Sequence, residues 1–125
     1  MDFITLDDVT DEILQVTDSD IVTANDYVNG LVVKFRIKPE QLVNPPTYTI
    51  RRIAVCYACY IRAVNHIGSD AMASYDGGSG DGKDIYAQKA KFYRQELDGL
   101  VNNLTTLDFT GEEVSGSITV NVFRA

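Results

Sequence analysis

The stretch TYTIRRIAVCYACYIRAVNHIG, residues 47–68, decides the fold. It is the longest apolar periodic segment of the 125-residue chain, and its apolar side chains fall on more than one helical face. One face carries Ile50, Ile53, Ala54, Tyr57, Ile61 and Val64, and another carries Val55, Cys56, Cys59, Tyr60 and Ala63. A helix that is apolar around most of its circumference is normally the central one of a bundle. The stretch predicts a long central helix that starts at Thr47 or Thr49 and is capped at Gly68.

Three further helices are predicted around this one. A short acidic helix is expected in TLDDVTDEIL, residues 5–14, with Thr5 as N-cap and Asp8 completing a capping box. A second helix should begin near Asp18 or Asp20, and a last one should run from about Asp84 to Leu104. Their apolar stripes are Ile21, Ala24, Val28, Leu31, Val32 and Phe35, and Tyr86, Ala90, Tyr93, Leu97, Leu100 and Leu104. The predicted fold class is therefore mainly α, a small helical bundle in one domain, residues 1–113.

A glycine-rich stretch, SYDGGSGDGKD at residues 74–84, separates the last two helices. Its composition predicts a flexible loop near residues 75–83. The spacing of Gly77, Gly82 and Lys83 approaches that of a phosphate-binding loop, but Asp84 stands where a hydroxyl should meet magnesium. A flexible linker is the better interpretation.

The chain ends in SGSITVNVFRA, residues 115–125. Ile118, Val120 and Val122 alternate with polar residues, and this period of two is typical of a strand. A single strand needs a partner, which is either an earlier segment of the subunit or the sheet edge of another chain. Residues 114–125 are therefore predicted to form an extended, β-forming arm.

The net charge of −7 argues against a protein that grips nucleic acid, because phosphate neutralisation by basic side chains supplies most of that affinity. No apolar run approaches the roughly 20 residues that span a bilayer, so no membrane association is expected. The acidic opening residues do not resemble a secretory leader, and the two cysteines are expected to be reduced thiols in a cytosolic setting.

The motif C-x-x-C at residues 56–59, followed by the single histidine at 66, raises the question of metal or redox chemistry. Cys59 and His66 are seven residues apart, about 10 Å along a helix axis, which is too far for one zinc ion. Redox pairs of this spacing sit at a helix N-terminus, whereas Cys56 lies well inside the predicted helix. Structural core thiols are favoured, and neither a metal nor another cofactor is expected. A small cytosolic enzyme or metal-dependent regulator that uses Cys56, Cys59 and His66 is the alternative.

The order of these elements resembles the head–tail connector (adaptor, or head-completion) proteins of tailed bacteriophages. The resemblance lies in the acidic ITLDDVTDEIL, the amphipathic second helix, the apolar IRRIAVCYACYIRAV, the loop, the helix YAQKAKFYRQELDGL and the terminal arm. It implies a non-enzymatic virion protein of the neck, which is present in the host cytoplasm during assembly. Its subunits would form a homo-oligomeric ring, typically of twelve, beneath the portal.

The resemblance also implies the partners and their contact sites. The arm would dock into the portal protein through Ile118, Val120, Val122, Phe123 and Arg124. The glycine-rich loop, with Gly77, Gly78, Gly80, Gly82 and Lys83, would provide subunit or lumen contacts. Other surfaces would meet neighbouring tail or neck proteins. Genomic DNA would pass through the ring without specific binding, which agrees with the acidic charge.

Overall fold

Four α-helices form the architecture in the computed structural model, which describes residues 2–73 and 80–111, with the backbone alone at 68–73 and 80–84. They are α1 (Asp18–Lys34), α2 (Tyr48–Ala73), α3 (Gly80–Asn102) and α4 (Thr106–Thr110), and two 3-10 turns cover Leu6–Asp8 and Pro39–Gln41. No strand occurs within these described ranges. The prediction of a mainly helical bundle is confirmed.

The long helix α2 is central, as its sequence predicts, because it packs against α1, α3 and α4. Ile53 and Ala54, and Ala58 one turn later, are fully buried. Asp20 of α1 pairs with Arg62, and Tyr27 stacks on Tyr57. Rising residue numbers in α1 thus meet falling numbers in α2, so the two helices are antiparallel.

The same test shows that α3 is antiparallel to α2. His66 stacks on Tyr86, and Arg52 pairs with Glu96, so the end of α2 lies beside the start of α3. The described part of the apolar stripe predicted for α3 packs into the core. α1, α2 and α3 therefore form an up-down-up arrangement with α2 in the middle.

The helix starts follow local capping rules. Thr17 precedes α1, its hydroxyl accepts the Asp20 N–H at 3.3 Å, and the Asp20 carboxylate accepts the Thr17 N–H at 2.9 Å. This reciprocal pair satisfies two donors that the first helical turn would otherwise leave free. Pro39 opens the second 3-10 turn, where its missing N–H costs nothing.

Two predicted helix ends are wrong. The helix α2 does not stop at Gly68 but continues to Ala73, because one glycine inside a helix costs only about 1 kcal/mol relative to alanine. α3 begins at Gly80, four residues before the expected Asp84, so Gly80, Gly82 and Lys83 lie in its first turns and not in a loop. Acidic residues 81 and 84 favour a helix start there through the helix dipole.

The expected first helix is also replaced by a different structure. Only Leu6–Asp8 forms a 3-10 turn, and Gln15 takes a left-handed conformation at φ 56°. The Asp8 carboxylate accepts the Thr5 N–H at 2.8 Å, so the predicted cap is present but no α-helix follows it. Leu14 is fully buried while Ile13 is 54% exposed, which shows that the segment presents single side chains to the core rather than a stripe.

The last helix, α4, was not predicted. It places Phe109 at 2% exposure against the ring of Phe35, and the Thr47 hydroxyl donates a hydrogen bond to the Asp108 carbonyl at 2.7 Å. Gly111 ends the helix at φ 70°, and a Cβ there would lie within 2.8–2.9 Å of Val43. The described chain therefore leaves the core at the N-terminal end of α2.

Candidate interaction surface

The C-x-x-C motif lies in the core, as the sequence predicts. Cys56 and Cys59 are free thiols with 0% exposure. Burial raises the pKa of Cys56 to about 12 and that of Cys59 to about 11, because a thiolate loses its hydration there. Both thiols are therefore protonated at neutral pH, and they are poor nucleophiles and poor metal ligands.

The histidine of this stripe is engaged elsewhere. His66 Nε2 lies 2.8 Å from the carbonyl oxygen of Leu14, and its ring stacks on Tyr86 with the centroids 4.3 Å apart. The His66 ring is therefore satisfied within the fold by a hydrogen bond and a stacking contact. In the part of the chain that the structure describes, no three histidine, cysteine, aspartate or glutamate side chains are grouped as a metal site would require.

One side of α2 is covered by the N-terminal segment, residues 2–17, which buried polar groups hold in place. The Asn25 side-chain oxygen accepts the N–H groups of Phe3 and Ile4 at 2.8 and 3.1 Å, and its amide donates to the Ile4 carbonyl at 3.2 Å. Asn25 is only 5% exposed. A single side chain thus satisfies three backbone groups that the irregular segment would otherwise bury without partners.

Asp11 fixes the same segment to α3. Its Oδ2 accepts a hydrogen bond from Lys89 at 2.8 Å and one from the Tyr93 hydroxyl at 2.7 Å, while Oδ1 accepts the N–H groups of Ile13 and Leu14. Burial alone would raise the pKa of Asp11, but these hydrogen bonds outweigh it and lower the pKa. The charged Asp11 side chain, 8% exposed, thus holds the N-terminal segment against α3, and we call these contacts the Asp11 clamp.

Two further ion pairs join the helices to each other. Asp20 accepts two hydrogen bonds from Arg62, at 2.7 and 3.0 Å, and Glu96 is likewise bonded to Arg52 in a two-point pair. Burial raises the pKa of Asp20, yet the Arg62 and Thr17 hydrogen bonds bring it below its usual value. These pairs fix the register of α1 and α3 on α2, since a bidentate arginine–carboxylate contact is directional.

The opposite side of α2 is different. Val55 faces the N-terminal segment at 9% exposure, whereas Val64, nine residues and about two and a half turns later, is 41% exposed. With Tyr57, Tyr60 and Ile61, Val64 occupies positions i, i+3, i+4 and i+7 of one helical stripe. We call these four residues the open face.

Aromatic contacts border the open face on both flanks. Tyr27 of α1 stacks on Tyr57 with the centroids 4.2 Å apart and the planes 5° from parallel. The Arg94 guanidinium of α3 lies 5.4 Å from the centroid of the Tyr60 ring. Burial raises the pKa of Tyr27, so this hydroxyl stays neutral at physiological pH. The tyrosines are partly buried and Val64 is exposed, and tyrosine, arginine and aliphatic groups in one surface cluster are typical of protein–protein interfaces.

Two clefts among the described residues contain no reactive pair. One, of about 360 Å³, is lined by Thr49, Glu96, Gly99, Leu100, Asn103 and Asp108. Its Glu96 is already bonded to Arg52. The other, of about 210 Å³, contains Tyr48, Arg51 and Arg52 beside Asp8 and Thr10. Neither brings a nucleophile and a free base together.

Most of the residues that the sequence predicts as partner contacts lie outside the described part of the chain. Ile118, Val120, Val122, Phe123 and Arg124 of the arm lie outside the described residues, as do Gly77 and Gly78 of the loop. For Gly80, Gly82 and Lys83 the structure describes only a helical backbone. The portal-docking and loop assignments therefore stay predictions.

Sequence reasoning missed Asn25, Asp11 and the open face. The signal for Asn25 was a polar residue next to Ala24 within an apolar stripe, which indicates a buried hydrogen bond. Aspartates at helix starts suggest caps, and Asp8 is such a cap, whereas Asp20 caps α1 and also pairs with Arg62. The open face had no local signal, since Tyr57 and Val64 have the same periodicity as the buried Ile53.

The chain matches no protein-family model, no curated protein and no solved structure. Within the described ranges, no helix is both long and apolar enough to cross a bilayer.

Proposed function

We propose that this protein is a non-enzymatic structural adaptor of a tailed-phage particle. In this proposal its subunits form a ring beneath the portal, join the DNA-filled head to the tail and let DNA pass. The order of elements that resembles the connector proteins supports it: an anchored acidic segment, an amphipathic helix, a long central helix, a further helix and a terminal arm. The buried, protonated thiols give no support to the alternative of an enzyme or metal-dependent regulator.

One observation carries the proposal: α4 closes this end of the described core just before the predicted arm. Phe109 is buried there at 2% exposure, and the backbone of Gly111 then ends α4 against Val43. The predicted arm, residues 114–125, follows directly in the sequence. A segment with alternating apolar residues that follows a helical core is suited to pairing with another protein.

The negative net charge of the chain is compatible with this role. A ring that DNA traverses benefits from weak or repulsive contacts with phosphate, and a net charge of −7 per subunit provides these. The two-point ion pairs at Asp20 and Glu96 also suit a rigid subunit, because they resist sliding of α1 and α3 along α2.

Deletion of residues 115–125 tests the proposal. The truncated protein should keep its helicity by circular dichroism and its thermal midpoint to within a few degrees, and should no longer co-sediment with portal rings of the source phage. Retained attachment, or outright unfolding, would show that the arm is not the docking element.

A matched pair of substitutions refines that test. Val120→Asp places a charge in the apolar row of the arm and should abolish portal attachment, whereas Thr119→Asp places it in the polar row and should not. Native mass spectrometry of the full-length protein with portal rings measures the number of bound copies, and a single bound monomer would contradict the ring.

A further inference from the structure

We propose that the open face of α2 is the docking site for the C-terminal arm of the same chain, which occupies it until a partner takes the arm away. This contact adds a regulatory step to the proposed function. The regulatory meaning rests on that function, but the contact itself does not.

The first argument concerns how much of α2 the described residues cover. α2 has α1 on one flank and α3 on the other, and the N-terminal segment covers the side that contains Val55. On the remaining side Ile53 is fully buried, but Val64, three turns further on, is 41% exposed between the Tyr27 and Arg94 flanks. The apolar lining of the core thus continues through the partly buried Tyr57, Tyr60 and Ile61 to the exposed Val64, over about 10 Å along the helix.

The second argument is reach. The described chain leaves the core at Gly111, beside Val43 and near the N-terminal end of α2. From Thr47 to Tyr57, where the open face begins, is about 15 Å along the helix axis. Six residues separate Gly111 from Ile118, and the seven steps from Gly111 to Ile118 span about 23 Å when extended. Ile118 can therefore arrive at the open face without strain in the connecting residues.

The third argument is the match of the two apolar rows. Ile118, Val120 and Val122 fall on one side of an extended chain and together span about 13 Å, close to the length of the open face. Ser117, Thr119 and Asn121 point the other way in such a chain and stay solvated. Tyr57 and Tyr60 within the open face offer the arm large, rigid apolar groups at low entropic cost.

A regulatory consequence follows from shared residues. The apolar row that would enter the portal is the same row that would cover the open face, so the two contacts exclude each other. The free subunit then shields its own apolar row and its own apolar strip, which disfavours premature association. Portal binding releases the arm and exposes Tyr57, Tyr60 and Val64 to the next component of the assembly.

Hydrogen exchange on the full-length free protein, read out by mass spectrometry, tests the contact without any portal. Amides of residues 118–123 should exchange at least about ten-fold more slowly than in an unstructured peptide. Val64→Asp should raise them to the peptide rate. Val33→Asp, a substitution at a 75% exposed valine of α1, should leave the protection unchanged. Protection of Ile53–Cys59 in both variants verifies that the core is still folded.

Three results would overturn the proposal. They are peptide-like exchange of residues 118–123 in the wild-type protein, protection that survives Val64→Asp, and protection that disappears on ten-fold dilution, which would assign the open face to the arm of a second copy. Portal co-sedimentation is scored separately. Protection without portal binding refutes the proposed function and keeps the contact, whereas portal binding without protection does the opposite.

Discussion

Two opposite sides of α2 are covered in different ways. The side that contains Val55 is covered by irregular chain, and that chain is held by Asn25, Asp11 and the contact between His66 and Leu14. The side that contains Val64 presents the aromatic and aliphatic side chains of the open face between α1 and α3, and Val64 is more than four times as exposed as Val55.

The difference shows what an irregular segment needs when it replaces a helix as a covering layer. A helix satisfies its own backbone groups, but residues 2–17 must find partners for theirs within the core. Asn25 and Asp11 supply these partners, so the covered side depends on a few polar residues. The open side contains no comparable clamp among the described residues, and its substitutions should cost correspondingly less.

The largest effect is expected at Asn25. Asn25→Ala leaves the Phe3 and Ile4 backbone groups buried without partners, and it should lower the free energy of unfolding by about 3 kcal/mol. Urea denaturation followed by circular dichroism measures this. Asp26→Ala, at the exposed neighbouring position, is the control and should change the stability by no more than about 0.5 kcal/mol. Equal losses of stability in the two variants would contradict this role of the Asn25 hydrogen bonds.

The second effect is a dependence on pH. The folded-state pKa of Asp11 is lowered, so its stabilisation is fully present above the unfolded value of about 3.9 and is lost as the pH falls through the lower folded value. Asp11→Asn should cost about 2 kcal/mol at pH 7. The variant and wild-type stability curves should converge between about pH 4 and pH 2, and a constant gap down to pH 2 would refute the charged clamp.

A smaller effect is expected for the thiols. Cys56→Ala and Cys59→Ala should each lower the free energy of unfolding by about 1 kcal/mol through lost packing, without loss of assembly. In the native protein both thiols should resist alkylation at pH 8, and both should react after unfolding. Rapid alkylation under native conditions, or assembly that depends on stoichiometric zinc, would show that the thiols have a chemical role.

The smallest effect is expected on the open side, and it compares two valines of one helix. Val64→Ala should change the free energy of unfolding by about 0.5 kcal/mol or less, whereas Val55→Ala should cost about 1.5 kcal/mol, because only Val55 is enclosed. An equal loss of unfolding free energy in Val64→Ala and Val55→Ala would contradict the difference in burial between the two sides.

The sequence predicts α1, α2 and α3 because each carries a periodic stripe that its neighbours bury. It does not predict the end of α2, since a glycine signals a cap locally but costs the interior of a helix only about 1 kcal/mol relative to alanine. α4 is five residues long, too short for periodicity to reveal, and Phe109 is buried by residues distant in sequence.

The candidate surface is even less accessible to sequence reasoning. Tyr57, Tyr60 and Val64 belong to a stripe that is apolar from end to end, and only the placement of α1, α3 and residues 2–17 determines which part of it stays exposed. Asn25 and Asp11 pair with groups 21 to 82 positions away along the chain. Such long-range partners follow from the fold and not from spacing.

The clamp between Asp11 and α3 has a kinetic consequence. Lys89 and Tyr93 are 78 and 82 residues from Asp11, whereas α1, α2 and α3 meet their sequence neighbours. Closing so long a loop is entropically slow, so the N-terminal segment should dock after the helices have collapsed. Residues 2–17 would then dock after the folding transition state. A substitution that weakens the Asp11 contacts should therefore accelerate unfolding and leave the refolding rate nearly unchanged.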